Sequence, residues 1–339
     1  MDFRIQLCSA FLFGAIASAA WPGYHVIDKL QLGGEGGWDY LTADGAAHRL
    51  YVSRGSHVMV LDLETGKVAG DIPGTLGVHG IALAPELNRG FTSNGRTDNV
   101  TIFALDTLKP IGEVKTGKNP DCILYDKASG RVFTFNGRSG DATAFNAATG
   151  VVDGTIPLGG KPEFARSQED GKVYVNIEDK SEVVEIDSKK LTVLRRFPLA
   201  PCEEPSGQAI DAEHHHVYSG CHNKIMTVLD TVSGKVIASV PIGGGVDGNG
   251  YDPGTGLAFS SNGEGTLTVA GESSPGKFVV AETVTTERGA RTMAIDLTTH
   301  RIYLPTARFG PAPAPTEDQP HPRPALIADS FVILVVGTK

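Results

Sequence analysis

An aromatic residue returns in the same local setting seven times along this chain, and that recurrence restricts the fold more than any other feature. Tyr51, Phe91, Phe133, Tyr174, Tyr218, Phe259 and Tyr303 lie 40, 42, 41, 44, 41 and 44 residues apart. A period near 40 held over seven copies marks stacked supersecondary units, a propeller or a solenoid.

Each copy repeats one grammar. A short inner segment such as Gly80-Ile81-Ala82-Leu83-Ala84 comes first, then a polar turn, then the aromatic segment. A Gly/Asn-rich loop leads to a third run, such as Val100-Thr101-Ile102-Phe103 or Met226-Thr227-Val228-Leu229-Asp230. A turn such as Val232-Ser233-Gly234-Lys235 introduces the fourth, Val236 to Ile242. Four short, β-branched segments between turn residues predict one four-stranded antiparallel blade. Paired helices are excluded, because runs of four to eight residues between Gly and Pro are too short and show no 3.6-residue period. The chain holds 42 glycines and 20 prolines in 339 residues, as so many turns require.

The seventh copy ends at its third strand, Ser330 to Gly337, so its outer strand is missing. The segment Tyr24 to Gly33 resembles the fourth strands elsewhere and predicts the missing piece. The expected fold is therefore all-β: a single seven-bladed β-propeller over residues 21–339, closed by the N-terminal strand pairing with the last blade. Closure removes two exposed sheet edges. It also predicts a monomer, since no edge is left for a partner to cover.

The repeat resembles the YVTN-type β-propeller repeat of exported bacterial proteins. Phe91-Thr92-Ser93-Asn94, Val228-Leu229-Asp230 with Ser233-Gly234-Lys235, and Ile156-Pro157-Leu158-Gly159-Gly160 carry the likeness, which spans about residues 24–339. It implies a seven-bladed propeller and an exported protein. The shared residues are structural and imply no activity. The Trp-Asp signature of WD40 repeats is missing from the third strands.

Residues 1–20 read as a signal peptide: Arg4, an apolar run from Ile5 to Ile16, and a small-x-small cleavage site at Ala17 to Ala20. The run is too short to span a membrane comfortably. A periplasmic or secreted mature protein follows, with no membrane span. Loss of the leader removes Cys8 and leaves Cys122, Cys202 and Cys221, so at most one internal pair forms. Cys202 and Cys221 flank the first two strands of the fifth copy on one face and predict a disulfide, suited to an oxidising compartment. Cys122 reads as a buried free thiol. The net charge of -9 argues against a nucleic-acid grip by bulk charge.

The loops entering strand one and joining strands two and three share one face, here called the top. Twelve residues before each repeat aromatic (eleven in the fourth copy) stand Asp39, His79, Asp121, Glu163, Ser206, Asp247 and Arg291. The position stays polar while its identity varies, which points to a channel mouth. Clustered carboxylates repel unless protonated, paired or neutralised by a cation. Asp121, Glu163 and Asp247 are candidate ligands for a divalent metal such as calcium, with magnesium, manganese and zinc as alternatives. A second candidate ring follows the aromatic strands: Arg54, Asn94, Asn136, His222 with Asn223, and Asn262. With Asp39 and Ser206 these are candidate ligand-binding residues. A proline-rich insertion, 308–329, also falls on top, whereas His214-His215-His216 falls in a bottom turn and reads as solvated.

Two functional readings follow. One is a binding propeller that takes a small molecule or protein partner on its top face; no nucleophile elbow, Walker loop or zinc-protease motif is present. The other is a metal-assisted lactonase, other hydrolase or lyase, with His79 as general base and Arg291 stabilising developing negative charge. The sequence does not decide whether the protein is an enzyme.

Overall fold

A computed structural model describes Trp21, residues 23–314 and residues 324–338. The leader read in residues 1–20 and the centre of the insertion, 315–323, lie outside the described residues. Seven four-stranded antiparallel sheets form the blades of a propeller. The inner strands in order are Leu41–Asp44, Val78–Ala84, Pro120–Asp126, Pro162–Ser167, Pro205–Asp211, Val246–Asp252 and Ala294–Asp296. No α-helix occurs among the described residues, only two single-turn 3-10 segments.

The repeat aromatics sit on the second strands, and all seven are buried. They pack against the neighbouring blade: Phe91 meets Phe145 edge-on at 5.7 Å, and Tyr51 meets Phe103 at 6.0 Å. Such rings bury about 150–250 Å² each, so one per blade is a large share of the inter-blade adhesion. The turns after the third strands recur for a local reason. The Oδ1 atoms of Asp62, Asn146, Asp187 and Asp230 each accept backbone N–H groups two and three residues on. These side chains replace the hydrogen bonds that the strand loses as it turns.

Closure follows the expected route. His25–Gln31 pairs antiparallel with Val332–Gly337, with Leu30 opposite Ile333. The last sheet is thus built from both ends of the chain. Blade 6 departs from the expected short strands, because Thr266–Ser274 and Lys277–Thr285 run nine residues each. Trp21 rests against Gly271 of this extension, and Glu282 accepts the Tyr24 N–H at 2.8 Å. The base of the insertion is a small antiparallel contact: Phe309 bridges Leu326, and Gly310 N–H donates to Ala325 O.

In blades 2 to 6 the first two strands slip register near the top, between Val78 and Ile81, Pro120 and Ile123, Pro162 and Ala165, Pro205 and Gln208, and Val246 and Gly248. A bulge bends its strand and re-aims the side chain it carries. The re-aimed positions include His79, Asp121, Glu163, Ser206 and Asp247. The missing residue in the fourth copy is lost from the turn between the first two strands: Phe133 pairs with Leu124, nine positions back, and Tyr174 with Arg166, eight back.

Candidate functional site

Each blade contributes one residue of the predicted first ring to the mouth of the central channel. Their backbones are fastened blade to blade by polar groups of the strand-two layer and the strand starts. Ser93 Oγ donates to Asp121 O, Asn176 Nδ2 to Ser206 O at 2.8 Å, and Ser261 Oγ to Arg291 O at 2.6 Å. Thr292 Oγ1 donates to Asp39 O at 2.7 Å, and Tyr40 N–H to His79 O at 3.2 Å. These bonds hold the mouth rigid before any ligand arrives.

Charge alternates over part of the ring. His79 Nδ1 lies 2.6 Å from Asp39 Oδ2 and 3.7 Å from Asp121 Oδ1. Arg291 Nε lies 3.2 Å from Asp247 Oδ2, and its Nη2 4.0 Å from Asp39 Oδ1. Ser206 Oγ donates to Asp247 Oδ1 at 3.0 Å. Asp121 and Glu163 are neighbours with no ring cation between them. Lys161 Nζ reaches within 3.2 Å of Glu163 Oε2, but its hydrogen bond goes to Glu178. Glu163 Oε2 is buried and accepts no hydrogen bond among the described residues.

The protonation states reflect this arrangement. Burial raises the pKa of Asp121, and the charges of Asp39 and Asp247 raise it further against the opposing pull of His79 and Lys161. Burial and the Asp121 charge raise that of Glu163. Burial raises Asp247 as well, moderated by Arg291. For His79, burial opposes the charged form. The Asp39 hydrogen bond and the charges of Asp121, Asp39 and Glu163 outweigh it and hold the imidazole at about 9. The Asp39 hydrogen bond and neighbouring acids thus favour an imidazolium that donates protons. A general base must be unprotonated, so the geometry disfavours that role unless a cation displaces the proton.

The ligand atoms that converge are not the expected three. Asp39, His79 and Asp121 each offer one within 4.8 Å of the others. Asp247 is held by Arg291 and Ser206, and Glu163 leans toward Lys161. The hard carboxylate oxygens with one imidazole suit a divalent cation.

The second predicted ring does not line the mouth. Asn94, Asn136 and Asn262 are fully buried inside their blades. Asn136 Nδ2 donates to Asp141 at 2.6 Å and Thr143 at 3.0 Å, while its Oδ1 accepts from Thr134 at 3.1 Å. Asn94 and Asn262 make the same contacts with Thr101 and Thr92, and with Thr268 and Ser260. Their amides knit strands two and three and are not free for a ligand. Arg54 is also buried, 3.6 Å above the Phe331 ring, and donates to Glu35 O at 2.8 Å. It fastens the entry loop. His222 lies at the surface, 2.9 Å from Glu204, and Asn223 Nδ2 caps Pro201 O. Cys202 and Cys221 form the predicted disulfide beside them, and Cys122 is a buried free thiol. In the His214 turn, His214 pairs with Asp211 and His215 with Gln168, while His216 packs on Phe278.

Three features escaped the sequence. Tyr40 and Phe164, from blades 1 and 4, meet edge-on at 4.8 Å and floor the mouth. Burial, then the charges of Asp247, Asp121, Glu163 and Asp39, push the Tyr40 phenol well above its usual value. Gly95 leaves room for His79, since a Cβ there would sit 2.6 Å from Nε2. Lys161 neutralises the ring from outside the repeat position. Adjacency to Asp39 in the chain was the one available signal for Tyr40.

The chain matches no protein-family model and no curated protein. Solved structures resemble it in fold. Hydrazine synthase of Kuenenia stuttgartiensis aligns with TM-score 0.71 at 13% identity, over 87% of this chain and 96% of that one. U3-55K aligns with TM-score 0.73 at 10% identity, over 92% and 99%. At such identities the likeness shows the β-propeller fold alone.

Proposed function

We propose that this protein is an exported binding propeller whose channel mouth receives a small positively charged ligand, a divalent cation or an amine. The observation that carries this is the charge order round the mouth. Four carboxylates, Asp39, Asp121, Glu163 and Asp247, share the mouth with two ring cations, His79 and Arg291; Asp121 and Glu163 adjoin each other and carry raised pKa values even with His79 and Lys161 nearby, and Glu163 Oε2 accepts no hydrogen bond among the described residues. A cation there would replace the protons that the two acids otherwise hold. The aromatic floor and the cross-blade hydrogen bonds supply a pre-formed cup. Export rests on the leader sequence and on the disulfide, which is rare in reducing compartments. The YVTN-type repeat is the lineage that the sequence grammar favours.

A second reading, metal-assisted hydrolysis, is favoured by the convergence of Asp39, His79 and Asp121. There a bound cation would supply an activated water, and Arg291 would face developing negative charge. Elemental analysis and calorimetric titration with calcium, magnesium, manganese, zinc and a primary amine test both readings. The binding reading expects one equivalent of a cation, lost in Asp121→Asn and Glu163→Gln. If none of these probes binds, it fails. Hydrolysis of ester or lactone probes that stops on chelation and returns with metal would select the second reading.

A further inference from the structure

Beyond the Tyr40–Phe164 pair the inner end of the channel carries a cation, Arg166, where the mouth carries acids. A cavity of about 590 Å³ opens toward the bottom face, lined largely by the lower halves of inner strands. At its inner end stands Arg166, two residues along the strand from Phe164. Its guanidinium lies 4.4 Å from the Phe164 ring centre. Among the described residues it makes one hydrogen bond, a long one of 3.5 Å to Asn249 O. Burial pushes its pKa down, and the neighbours that oppose this are Cys122 and Tyr40, neither of them an anion at neutral pH. The acids of this region are engaged or remote. Asp211 is held by His214 at 2.8 Å, and Glu169 and Glu213 are exposed at the outer rim.

A half-buried guanidinium without a counter-ion is partly desolvated at a cost, and its planar fork matches a carboxylate two bonds at a time. The rest of the lining is mixed, with an apolar part made by Leu41, Ala209, Met293 and Ile295. The volume is that of an ordinary small-molecule pocket.

We infer that this lower chamber binds an organic acid, with its carboxylate on Arg166 and its apolar body on the strand side chains below. The site is separate from the cation cup, and the aromatic floor divides the two.

The test uses the full mature chain and octanoate, with octanol and octylamine as controls, by isothermal calorimetry. Octanoate should bind one to one, and octanol should bind about tenfold or more weakly, the worth of a charge-assisted hydrogen bond. Arg166→Met should lose about ten- to a hundredfold in affinity, and Arg166→Lys should keep part of it. Leu297 is exposed at the chamber rim, so Leu297→Asp should fold normally and weaken octanoate severalfold by repulsion. Asp121→Asn should leave octanoate binding unchanged, which separates this site from the mouth. The inference is overturned if octanoate does not bind, if octanol binds as well, if Leu297→Asp and the folded Arg166 variants bind octanoate like the parent, or if Asp121→Asn abolishes binding.

Discussion

Asp39 and His79 begin neighbouring blades and are joined twice: Asp39 Oδ2 lies 2.6 Å from His79 Nδ1, and the N–H of Tyr40 donates to His79 O. The first contact fixes the charge of the imidazole, and the second fixes its place. Together they make the mouth a seam between blades 1 and 2 as well as a candidate site.

Stability should rise as pH falls from about 9.5 to about 5. His79 is raised in the folded state, so its contribution is complete below its unfolded value of about 6.5 and is lost as pH climbs through 9. Asp121 and Glu163 are raised to about 7 and about 8, so the folded state binds their protons more tightly and gains as pH falls through those values toward their unfolded ones. The three effects share one sign. Calorimetric melting over this range should show a shift of several degrees that Asp121→Asn and Glu163→Gln reduce; a melting temperature that rises with pH would contradict the assignment.

Gly95→Ala should displace His79 without replacing any candidate ligand, because the new methyl would meet Nε2. Cation affinity at the mouth should fall while the far-ultraviolet spectrum stays that of the parent. An unchanged titration curve would show that His79 can move at no cost.

Asn136→Ala should destabilise by about 2–4 kcal/mol, since it leaves Thr134, Asp141 and Thr143 with lost partners in the blade interior. Binding at the mouth should persist in the folded fraction. Urea unfolding measures the first, and titration the second.

Cys202 and Cys221 close a loop across 19 positions, and their bond should contribute about 3 kcal/mol by restricting the unfolded chain. Double replacement by serine should lower the urea midpoint by a matching amount. No change would mean that the loop is already held in the unfolded state.

Removal of His25–Gln31 should uncover the edge of Val332–Gly337, a fully buried apolar strand. Self-association through that edge is the expected outcome, read by light scattering after size exclusion. A stable monomer of unchanged melting temperature would show that closure is dispensable.

The propeller was legible because its signals are local and repeated. The aromatic of strand two, the Asp or Asn at the end of strand three and the glycine turns each act within a few residues, and seven copies average out the exceptions. The mouth ring was legible for the same reason: Asp39 to Arg291 occupy one repeat position, and a repeat position maps to one place in the fold.

The partners of those residues were not legible. Asn94, Asn136 and Asn262 share a repeat position as regular as that of the mouth ring, yet they turn into the blade, because strand-three threonines offer them hydrogen bonds that a loop would not. Tyr40 and Phe164 meet across a channel whose width is set only once seven blades close. Gly95 meets His79 and Lys161 meets Glu178 only once their blades have folded, and Arg166 reaches Asn249 only once the ring has closed. The sequence by itself determined the blade, the number of blades and which residue of each faces the axis. Tertiary structure alone decided which charges meet and which stay unpaired, because ion pairing and desolvation depend on through-space separation and burial.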